Sequence, residues 1–283
     1  MPSLSPPAPR SRNRGKESKR VSERSWAELP LDALLCVFHK LDRADLMFGG
    51  PSMACRSSRQ AARQPELWRY VDMRGHSRLN RTARLFAIPL SAGQCQWFLG
   101  DHYVDDDLLL YLAQHAPSLK SLCLIGSRHN SKPFAEALKK LPLLEELALS
   151  NCNFRHAWRA LEFCPQLKHY IHIKQSVHPG IYPHIGRPHS HNMEAFAIAR
   201  LPNLLSLQLS GDNLDNEGLS AILNNCPHLE SLDLHSCPNI HMDSSLLVKC
   251  AQINNTKKLW RYALTDNRVH CWVDKHASSY DIN

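Results

Sequence analysis

The sequence of 283 residues has few glycines and no long apolar run. No apolar stretch approaches the roughly 20 residues that a membrane-spanning helix needs. The N-terminus lacks an apolar signal core, so we expect neither membrane insertion nor export. Only 11 glycines occur, and none belongs to a glycine-rich phosphate-binding motif. The sequence therefore argues against a membrane protein and against a nucleotide-dependent enzyme.

Motifs of catalysis are missing as well. The chain has no H-E-x-x-H motif and no Ser-His-Asp signature. It has ten cysteines, but none forms a C-x-x-C pair and most lie in apolar periodic segments. We interpret Cys55 and the cysteines further along as reduced core residues. We therefore predict a chain that is not an enzyme and that needs no cofactor and no metal.

The net charge of +8 is unevenly distributed. Residues 1–24 contain seven basic and two acidic side chains, so the rest of the chain is close to balanced. A nucleic-acid-binding face is therefore not implied. Residues 1–24 have almost no large apolar side chains, and we interpret them as a disordered basic tail. The run from Arg10 to Arg20 is either a nuclear import signal or a solvated tail, and we expect a nuclear and/or cytoplasmic location.

A stretch near the N-terminus has the apolar spacing of a helix. Leu31, Leu34, Phe38 and Leu41 follow one another at intervals of three or four residues. Leu35 and its neighbours widen this stripe well beyond one side. A helix that is apolar over so much of its circumference must bury two surfaces, one inside its own domain and one against something else. The simplest second contact is a partner protein.

At these residues the chain resembles the F-box, over residues 25–73. The matching features are Leu29-Pro30, Leu34-Leu35-x-x-Phe38-x-x-Leu41, Asp42 and Leu46, Met53-x-Cys55-Arg56, and Leu67-Trp68. The resemblance implies docking on a Skp-family adaptor and, through it, on the cullin of a ubiquitin ligase. The residues implied to form or support the adaptor-facing surface are Leu29, Pro30, Leu34, Leu35, Phe38, Leu41, Leu46 and Trp68.

The chain departs from the F-box pattern at three places. Leu31 stands where the family usually has an acidic residue, and Ser58 stands where a Trp often follows the Cys-Arg pair. Gly49-Gly50-Pro51 interrupts the chain between two expected helices. We expect the missing Trp and the two glycines to weaken the third helix. A three-helix N-terminal cap on a larger domain is the alternative interpretation of this region.

A second pattern, P-x-L-x-x-L-x-L, recurs in the rest of the chain. Its five copies begin at Pro117, Pro142, Pro165, Pro202 and Pro227, at spacings of 25, 23, 37 and 25 residues. Three of these spacings are typical of leucine-rich repeats, and the fourth implies an insertion. Strand side chains alternate, so the two leucines of L-x-L point inward and the residue between them points outward. One unit cannot bury its own apolar face, so the units must stack into a solenoid.

The sequence thus predicts an α/β chain in which an N-terminal three-helix F-box precedes a short leucine-rich-repeat solenoid. The solenoid would be a curved parallel sheet with helices on its convex side. The predicted divisions are 1–24 (disordered basic tail), 25–73 (F-box), 74–93 (linker), 94–253 (repeats, with a His-rich insertion at 174–193) and 254–283 (C-terminal cap or tail).

The combination of the two patterns is similar to plant F-box/leucine-rich-repeat proteins over residues 25 to about 250. In that family the repeats are taken to recruit the protein that is to be ubiquitinated. The resemblance therefore implies a substrate receptor of a Skp-cullin-F-box ubiquitin ligase, acting on a target that is degraded by the proteasome. A repeat scaffold without ligase activity is the alternative. A metal- or nucleic-acid-binding protein is a third hypothesis, based on the histidines and the basic tail.

The outward positions of the predicted strands are the candidate target-binding residues. They are small and polar in most copies, so we expect the concave face to be accessible throughout, including at Ser121, Cys123 and Ala148. The alternative is that this face contacts only water. The predicted target-binding residues are Glu146, Ser150, Ser206, Gln208, Ser210, Ser231, Asp233 and His235.

Histidines crowd the insertion and the strand before it. They are His169, His172, His178, His184, His189 and His191. With Cys164 nearby a zinc site is conceivable, but the spacing follows no known pattern and a solvent loop is favoured. His172 occupies a column that holds Leu in the other copies. It is either a buried histidine with a hydrogen-bond partner or a sign of local irregularity, and we favour irregularity.

Overall fold

The computed structural model describes residues 26–41, 43–74, 83–154, 156–174, 192–253 and 255–256. The predicted basic tail, Asp42, the central part of the His-rich insertion and nearly all of the predicted C-terminal cap lie outside the described residues. No helix within the described ranges is long and apolar enough to cross a membrane.

Short helices make up the N-terminal part of the chain. A 3-10 turn at Trp26–Glu28 precedes the first of them, and a second 3-10 turn at Pro65–Trp68 follows the fourth. The α-helices are α1 Leu31–Phe38, α2 Arg43–Phe48, α3 Gly50–Met53 and α4 Arg56–Ala61. A π-helical turn at Ala83–Ala87 then leads into the short helix α5, Ile88–Leu90.

Parallel strands form the body of the molecule. The strands are β1 Tyr70–Asp72, β2 Trp97–Gly100, β3 Ser121–Ile125, β4 Arg128–His129, β5 Glu146–Ser150, β6 Asn153–Phe154, β7 His169–Ile173, β8 Ser206–Ser210, β9 Ser231–His235 and β10 Asn255–Thr256. Eight of them form one sheet in the order β1-β2-β3-β5-β7-β8-β9-β10. The other two, β4 and β6, pair with each other. Neighbours in the large sheet are also successive in the chain apart from β4 and β6, which is the topology of a stacked solenoid.

Helices return the chain along the other side of the sheet. They are α6 Asp106–His115, α7 Ser131–Lys139, a 3-10 helix at Ala157–Phe163, α8 Met193–Ile198, α9 Asn216–Asn225 and α10 Ser244–Ala251. Aspartates cap three of them. The side chain of Asp105 accepts a hydrogen bond from the Leu108 amide at 2.7 Å, and Asp215 accepts from Glu217 and Gly218. Both aspartates thus satisfy backbone amides at the start of their helices.

The leucines of the repeats form a single buried core. In β3 and β5, Leu122, Leu124, Leu147 and Leu149 are fully buried and face the helices. The prolines that align the copies begin equivalent turns, and the strands after them pair in register, for example Leu122 with Leu147. The predicted fold class, an F-box followed by a leucine-rich-repeat solenoid, is confirmed.

The sheet begins at Tyr70, ahead of the first repeat that the sequence pattern reveals. Parallel pairing joins β1 to β2, with Tyr70 opposite Trp97 and Val71 opposite Phe98. Trp68 and Val71 belong to the same buried cluster as the repeat leucines. The N-terminal helices and the solenoid therefore share one core, and β1 joins the end of the F-box to the sheet.

Candidate protein interaction surfaces

Helix α1 buries one stripe against the N-terminal helices and leaves apolar side chains outside it. Leu34 and Phe38, four residues apart, are almost completely buried. Leu31 is 39% exposed and Val37 is 36% exposed, on either side of that stripe. Met53, at the end of α3, is 69% exposed. We call Leu31, Val37 and Met53 the F-box surface.

The eight predicted adaptor-binding residues separate into two groups. One group is buried and at most 2% exposed: Leu34, Phe38, Leu46 and Trp68. Leu29, Leu35 and Leu41 are half-buried against the core, and Pro30 is exposed. The buried group supports the fold and cannot touch a partner without opening the core. Whether the other four contact an adaptor stays a prediction.

Sequence reasoning predicted a second apolar surface on this helix, but it did not assign Leu31, Val37 and Met53 to it, because helical periodicity marks all apolar positions alike. It does not distinguish those that face the chain's own core from those that face a partner. The departures from the F-box pattern offered one signal, since Leu31 is an apolar residue where an acidic one is usual.

The third helical region of the F-box is divided into α3 and α4. The Cys55 side chain caps α4 by accepting a hydrogen bond from the Ser58 amide at 3.3 Å. The Ser58 hydroxyl also lies 3.0 Å from the Cys55 sulfur, and these hydrogen bonds lower the pKa of Cys55. Ser58 itself is buried, so its small side chain is enclosed by neighbouring residues.

The outward face of the sheet has two halves of different chemistry. In the N-terminal half, formed by β2, β3, β5 and β7, an apolar cluster runs across the strands. It comprises Leu99, Cys123, Ala148 and Ile171, with Trp97, Ile125 and Ile173 packed beside it. The C-terminal half, formed by β8 and β9, is polar and half-buried. Its outward side chains are Ser206, Gln208, Ser210, Ser231, Asp233 and His235.

The expectation of an accessible concave face throughout is therefore wrong for the N-terminal half. Ser121, Cys123 and Ala148 are buried, and Ser150 is 1% exposed. Large neighbours explain the difference at Ser150, because it is paired in the sheet between Ile125 and Ile173. Glu146 remains half-buried at the start of its strand. The target-binding role of the predicted residues stays a prediction.

Two outward residues of β9 approach each other. His235 Nδ1 lies 2.5 Å from Asp233 Oδ1 on the same strand. Ser210 of β8 is the sheet partner of His235, and Gln208 is the partner of Asp233. The C-terminal half therefore has several hydrogen-bonding side chains on adjacent strands.

The expectation that His172 marks an irregular repeat is wrong. Strand β7 pairs in full register with β5 and β8, and His172 is buried in the leucine column. His172 Nδ1 lies 2.5 Å from Glu194 Oε1, and Tyr170 donates to the same oxygen at 2.8 Å. The histidine is thus accommodated because Glu194, at the start of α8, supplies a buried partner.

Two further charged groups complete this arrangement, which we call the ionic cluster: Tyr170, His172, Lys174, Glu194 and Asp212. Lys174 Nζ lies 2.7 Å from Glu194 Oε2 and also forms an ion pair with Asp212. Both carboxylates are nearly completely buried, whereas Lys174 is half-buried. Sequence reasoning missed Glu194 and Asp212, which are remote from His172 in the chain. The only signal was the histidine in a leucine column.

Burial and pairing shift the pKa values in opposite directions. Burial disfavours the charged form of Glu194, yet His172 and Lys174 outweigh it and hold the pKa of Glu194 well below its usual value. Burial would lower the pKa of Lys174, but Glu194 and Asp212 raise it above its usual value. Burial and the neighbouring charge of Glu194 raise the pKa of Asp212.

The histidines that suggested a metal site do not converge within the described residues. His169 lies on the outward face of β7 and His172 on its core face. The other four histidines of that group lie outside the described residues. The described part of the chain contains no group of three or more His, Cys, Asp or Glu side chains with metal-binding geometry.

The cysteines within the described ranges are free thiols. Burial raises the pKa of Cys95 and of Cys164 to about 12. A thiol with so high a pKa is almost fully protonated near neutral pH and is a poor nucleophile. The interpretation of these two as core residues is confirmed by their burial. The same interpretation is wrong for Cys55, which is half-buried at the start of α4 because its sulfur caps that helix.

Comparison with known proteins agrees with this geometry. The family model of the F-box domain matches residues 26–70. The Arabidopsis thaliana protein named "Putative F-box/LRR-repeat protein 22" is 35% identical over 238 residues, which cover 81% of this chain and 74% of that protein. F-box protein SKIP19 of the same organism is 33% identical, over 80% of this chain and 74% of that protein.

The chain belongs to the F-box/LRR-repeat family. An F-box domain indicates binding to a Skp-type adaptor in general. Together with the names of the relatives, it supports a general role as a substrate adaptor of SCF-type ubiquitin ligases. The family names also suggest a non-catalytic subunit, in agreement with the two surfaces described above.

Replacing His172 by Leu tests the ionic cluster. A leucine restores the repeat pattern but removes a partner of the buried Glu194. We expect His172→Leu to lower the free energy of unfolding by about 1–3 kcal/mol, the cost of leaving a buried polar group short of a partner. Urea denaturation followed by circular dichroism measures this change.

His235→Leu is the matched control, since His235 is a half-buried histidine on the next strand but one. We expect a change within about 0.5 kcal/mol for this substitution, as is usual for positions away from the core. A His172→Leu variant as stable as the natural protein would contradict the structural role given to the cluster.

Proposed function

We propose that the chain is the substrate-recognition subunit of an SCF-type E3 ubiquitin ligase. In this proposal the F-box docks on a Skp-family adaptor and, through it, on a cullin. The repeats bind a target protein, which is then ubiquitinated and degraded by the proteasome. The chain forms or breaks no covalent bond itself. It contributes proximity, because ubiquitin transfer to a target that is held beside a ubiquitin-carrying enzyme is effectively intramolecular.

The shared core of the F-box and the repeats is the observation that carries the proposal. The Met73 amide donates to the Leu99 carbonyl at 2.9 Å, and the Gln96 amide donates to the Arg69 carbonyl at 2.9 Å. These bonds fix the F-box to the end of the sheet. A rigid connection between two binding surfaces is what a proximity mechanism requires, since a loose one would dilute the effective concentration of the target.

The division of the chain into two surfaces of different chemistry also supports the proposal. The F-box surface is apolar and exposed, as expected of the centre of a stable protein interface. The C-terminal half of the sheet is polar and half-buried, as expected of a face that recognises a specific partner through hydrogen bonds.

A scaffold protein without ligase activity is the second candidate function. The division of the third F-box region into α3 and α4, with Ser58 in place of a large aromatic residue, favours it. In that case the repeats would bind a partner, but the F-box would not bind a Skp-family adaptor. Adaptor affinity therefore distinguishes the two candidates.

Substituting two residues of the F-box surface tests adaptor binding. The double variant Val37→Asp with Met53→Asp places a charge at each of two exposed apolar positions without entering the core. We expect its affinity for a purified Skp-family adaptor to fall by about tenfold or more, since charges at the centre of an interface are strongly unfavourable. Isothermal titration calorimetry measures this affinity.

Val248→Asp is the matched control, because Val248 is 65% exposed on α10 at the other end of the chain. It should leave adaptor affinity unchanged. Equal affinities of the double variant and the natural chain would reject the F-box surface. An absence of adaptor binding by the natural chain would favour the scaffold.

Two arginines in the C-terminal half of the sheet test target binding. Ser206 and Ser231 are sheet partners at the start of β8 and β9, so the double variant Ser206→Arg with Ser231→Arg places two large charged side chains at one end of this half. Affinity purification from cells with the proteasome inhibited compares it with the natural chain. We expect the proteins that accumulate with the natural chain to be lost from the variant, while the adaptor is retained.

The control for this experiment places the same substitutions on exposed positions of the convex helices, Gln114→Arg with Asn224→Arg. This variant should retain both the adaptor and the accumulating proteins. Recovery of the same proteins with the sheet variant would show that the C-terminal half does not bind the target.

A nuclear and/or cytoplasmic location is part of the proposal. The basic run from Arg10 to Arg20 supports the nuclear part, although it lies outside the described residues. We expect a fluorescent fusion of the full chain to enter the nucleus and a fusion without residues 1–24 to do so less. Equal nuclear signal from both fusions would leave the basic run without a role in import.

A further inference from the structure

We propose that the ionic cluster is a lock that fixes the ends of strands β7 and β8, and so positions the C-terminal half of the sheet for its partner. Only the last clause rests on the proposed function, since the lock itself is a property of the isolated chain. Lys174, Glu194 and Asp212 are the positioning residues.

Buried charge is the first step of the argument. The side chains of Glu194 and Asp212 are 7% and 3% exposed, and each forms an ion pair with Lys174. Carboxylates taken out of water are stable only when they are paired and hydrogen-bonded. Here Lys174 supplies the common positive charge, and the Leu214 amide donates to the other oxygen of Asp212 at 2.8 Å. Removing Lys174 would leave two buried carboxylates side by side.

The second step is the position of the cluster in the chain. Lys174 directly follows β7, Glu194 lies in the first turn of α8, and Asp212 follows β8. These residues flank the place where the repeat spacing lengthens to 37 residues. Asn192 adds a contact on the same side, since its side chain donates to Asp215 at 2.8 Å. The polar contacts thus join three elements that the leucine core alone would hold less specifically.

The third step is the link to the outward face. The Lys174 amide donates to the Ser210 carbonyl at 2.8 Å, and the Gly211 amide donates to the His235 carbonyl at 2.9 Å. Gly211 has φ +68°, and a Cβ added there would lie 3.0 Å from the Lys174 carbonyl oxygen. The backbone and the side chain of Lys174 therefore both brace the turn that ends β8. Ser210 and Gln208, two outward residues of the C-terminal half, belong to β8.

The other described repeats have no such cluster at the strand position that His172 occupies. Leucine occupies it in β3, β5, β8 and β9, and leucine packing tolerates small shifts of neighbouring units. Ion pairs with fixed geometry are more restrictive, and buried polar groups are known in other proteins to select one arrangement at some cost in stability. The repeat that departs from the regular spacing is the one that has this restriction.

Hydrogen exchange of the full-length chain tests the lock, with Lys174→Met as the first variant. Methionine keeps the length of the side chain and removes its charge. We expect the amides of Gly211 and Leu214 to exchange about tenfold faster or more, because the two buried carboxylates lose their common partner. The amides of Leu122 and Leu124 in β3 should not change.

The double variant Lys174→Met with Asp212→Asn distinguishes a charge effect from simple loss of packing. It removes one positive and one negative charge, leaves Glu194 with His172 and Tyr170, and retains an acceptor for the Leu214 amide. We expect its exchange at Gly211 and Leu214 to be slower than in the single variant, because interacting charges are not additive. Lys168→Met is the matched control, since Lys168 pairs with Glu145 on the surface at 2.7 Å.

The lock is overturned if Lys174→Met changes these exchange rates no more than Lys168→Met does. It is also overturned if the double variant exchanges as fast as the single one or faster. No target is present in this measurement, so its outcome is independent of the ligase assignment. Failure of the adaptor or target experiments above would reject the proposed function and leave the lock intact.

Discussion

The backbone hydrogen bonds between β1 and β2 are the constraint on which the rest of the structure depends. They convert the end of the F-box into the first strand of the solenoid, with Tyr70 paired to Trp97. Trp68 then packs into the same core as the repeat leucines, and its indole nitrogen donates to the Ala62 carbonyl at 2.9 Å. An F-box tethered by a flexible linker would have neither contact. The two candidate surfaces are held at a fixed separation because this junction is part of the sheet.

The repeat pattern made the fold predictable from sequence, because burial imposes a strict period on a solenoid. Every copy must turn at the proline and bury two strand residues, which are leucines in all copies but the third, so a shift of one residue would expose the core. The first strand was not predictable, since β1 is only three residues long and carries no copy of the pattern.

The candidate sites were predictable only in part, for two physical reasons. Periodicity identifies apolar positions but not what covers them, and for that reason Leu34 and Phe38 were grouped with exposed neighbours. Alternation likewise identifies the outward side of a strand but not its crowding, so Ser150 was expected to be accessible although its isoleucine neighbours cover it. The ionic cluster depends on contacts between residues that are far apart in sequence, such as His172 and Glu194. No local pattern contains that information.

The account as a whole requires that the F-box and the repeats behave as one body. Hydrogen exchange at the junction measures this most directly, at the amides of Met73 and Trp97, which donate to Leu99 and Arg69 across it. The structure predicts that both exchange as slowly as the amides of Leu122 and Leu124 inside the solenoid. Rapid exchange at Met73 and Trp97, with protection retained in β3 and in α1, would show two domains that move independently and would contradict the account.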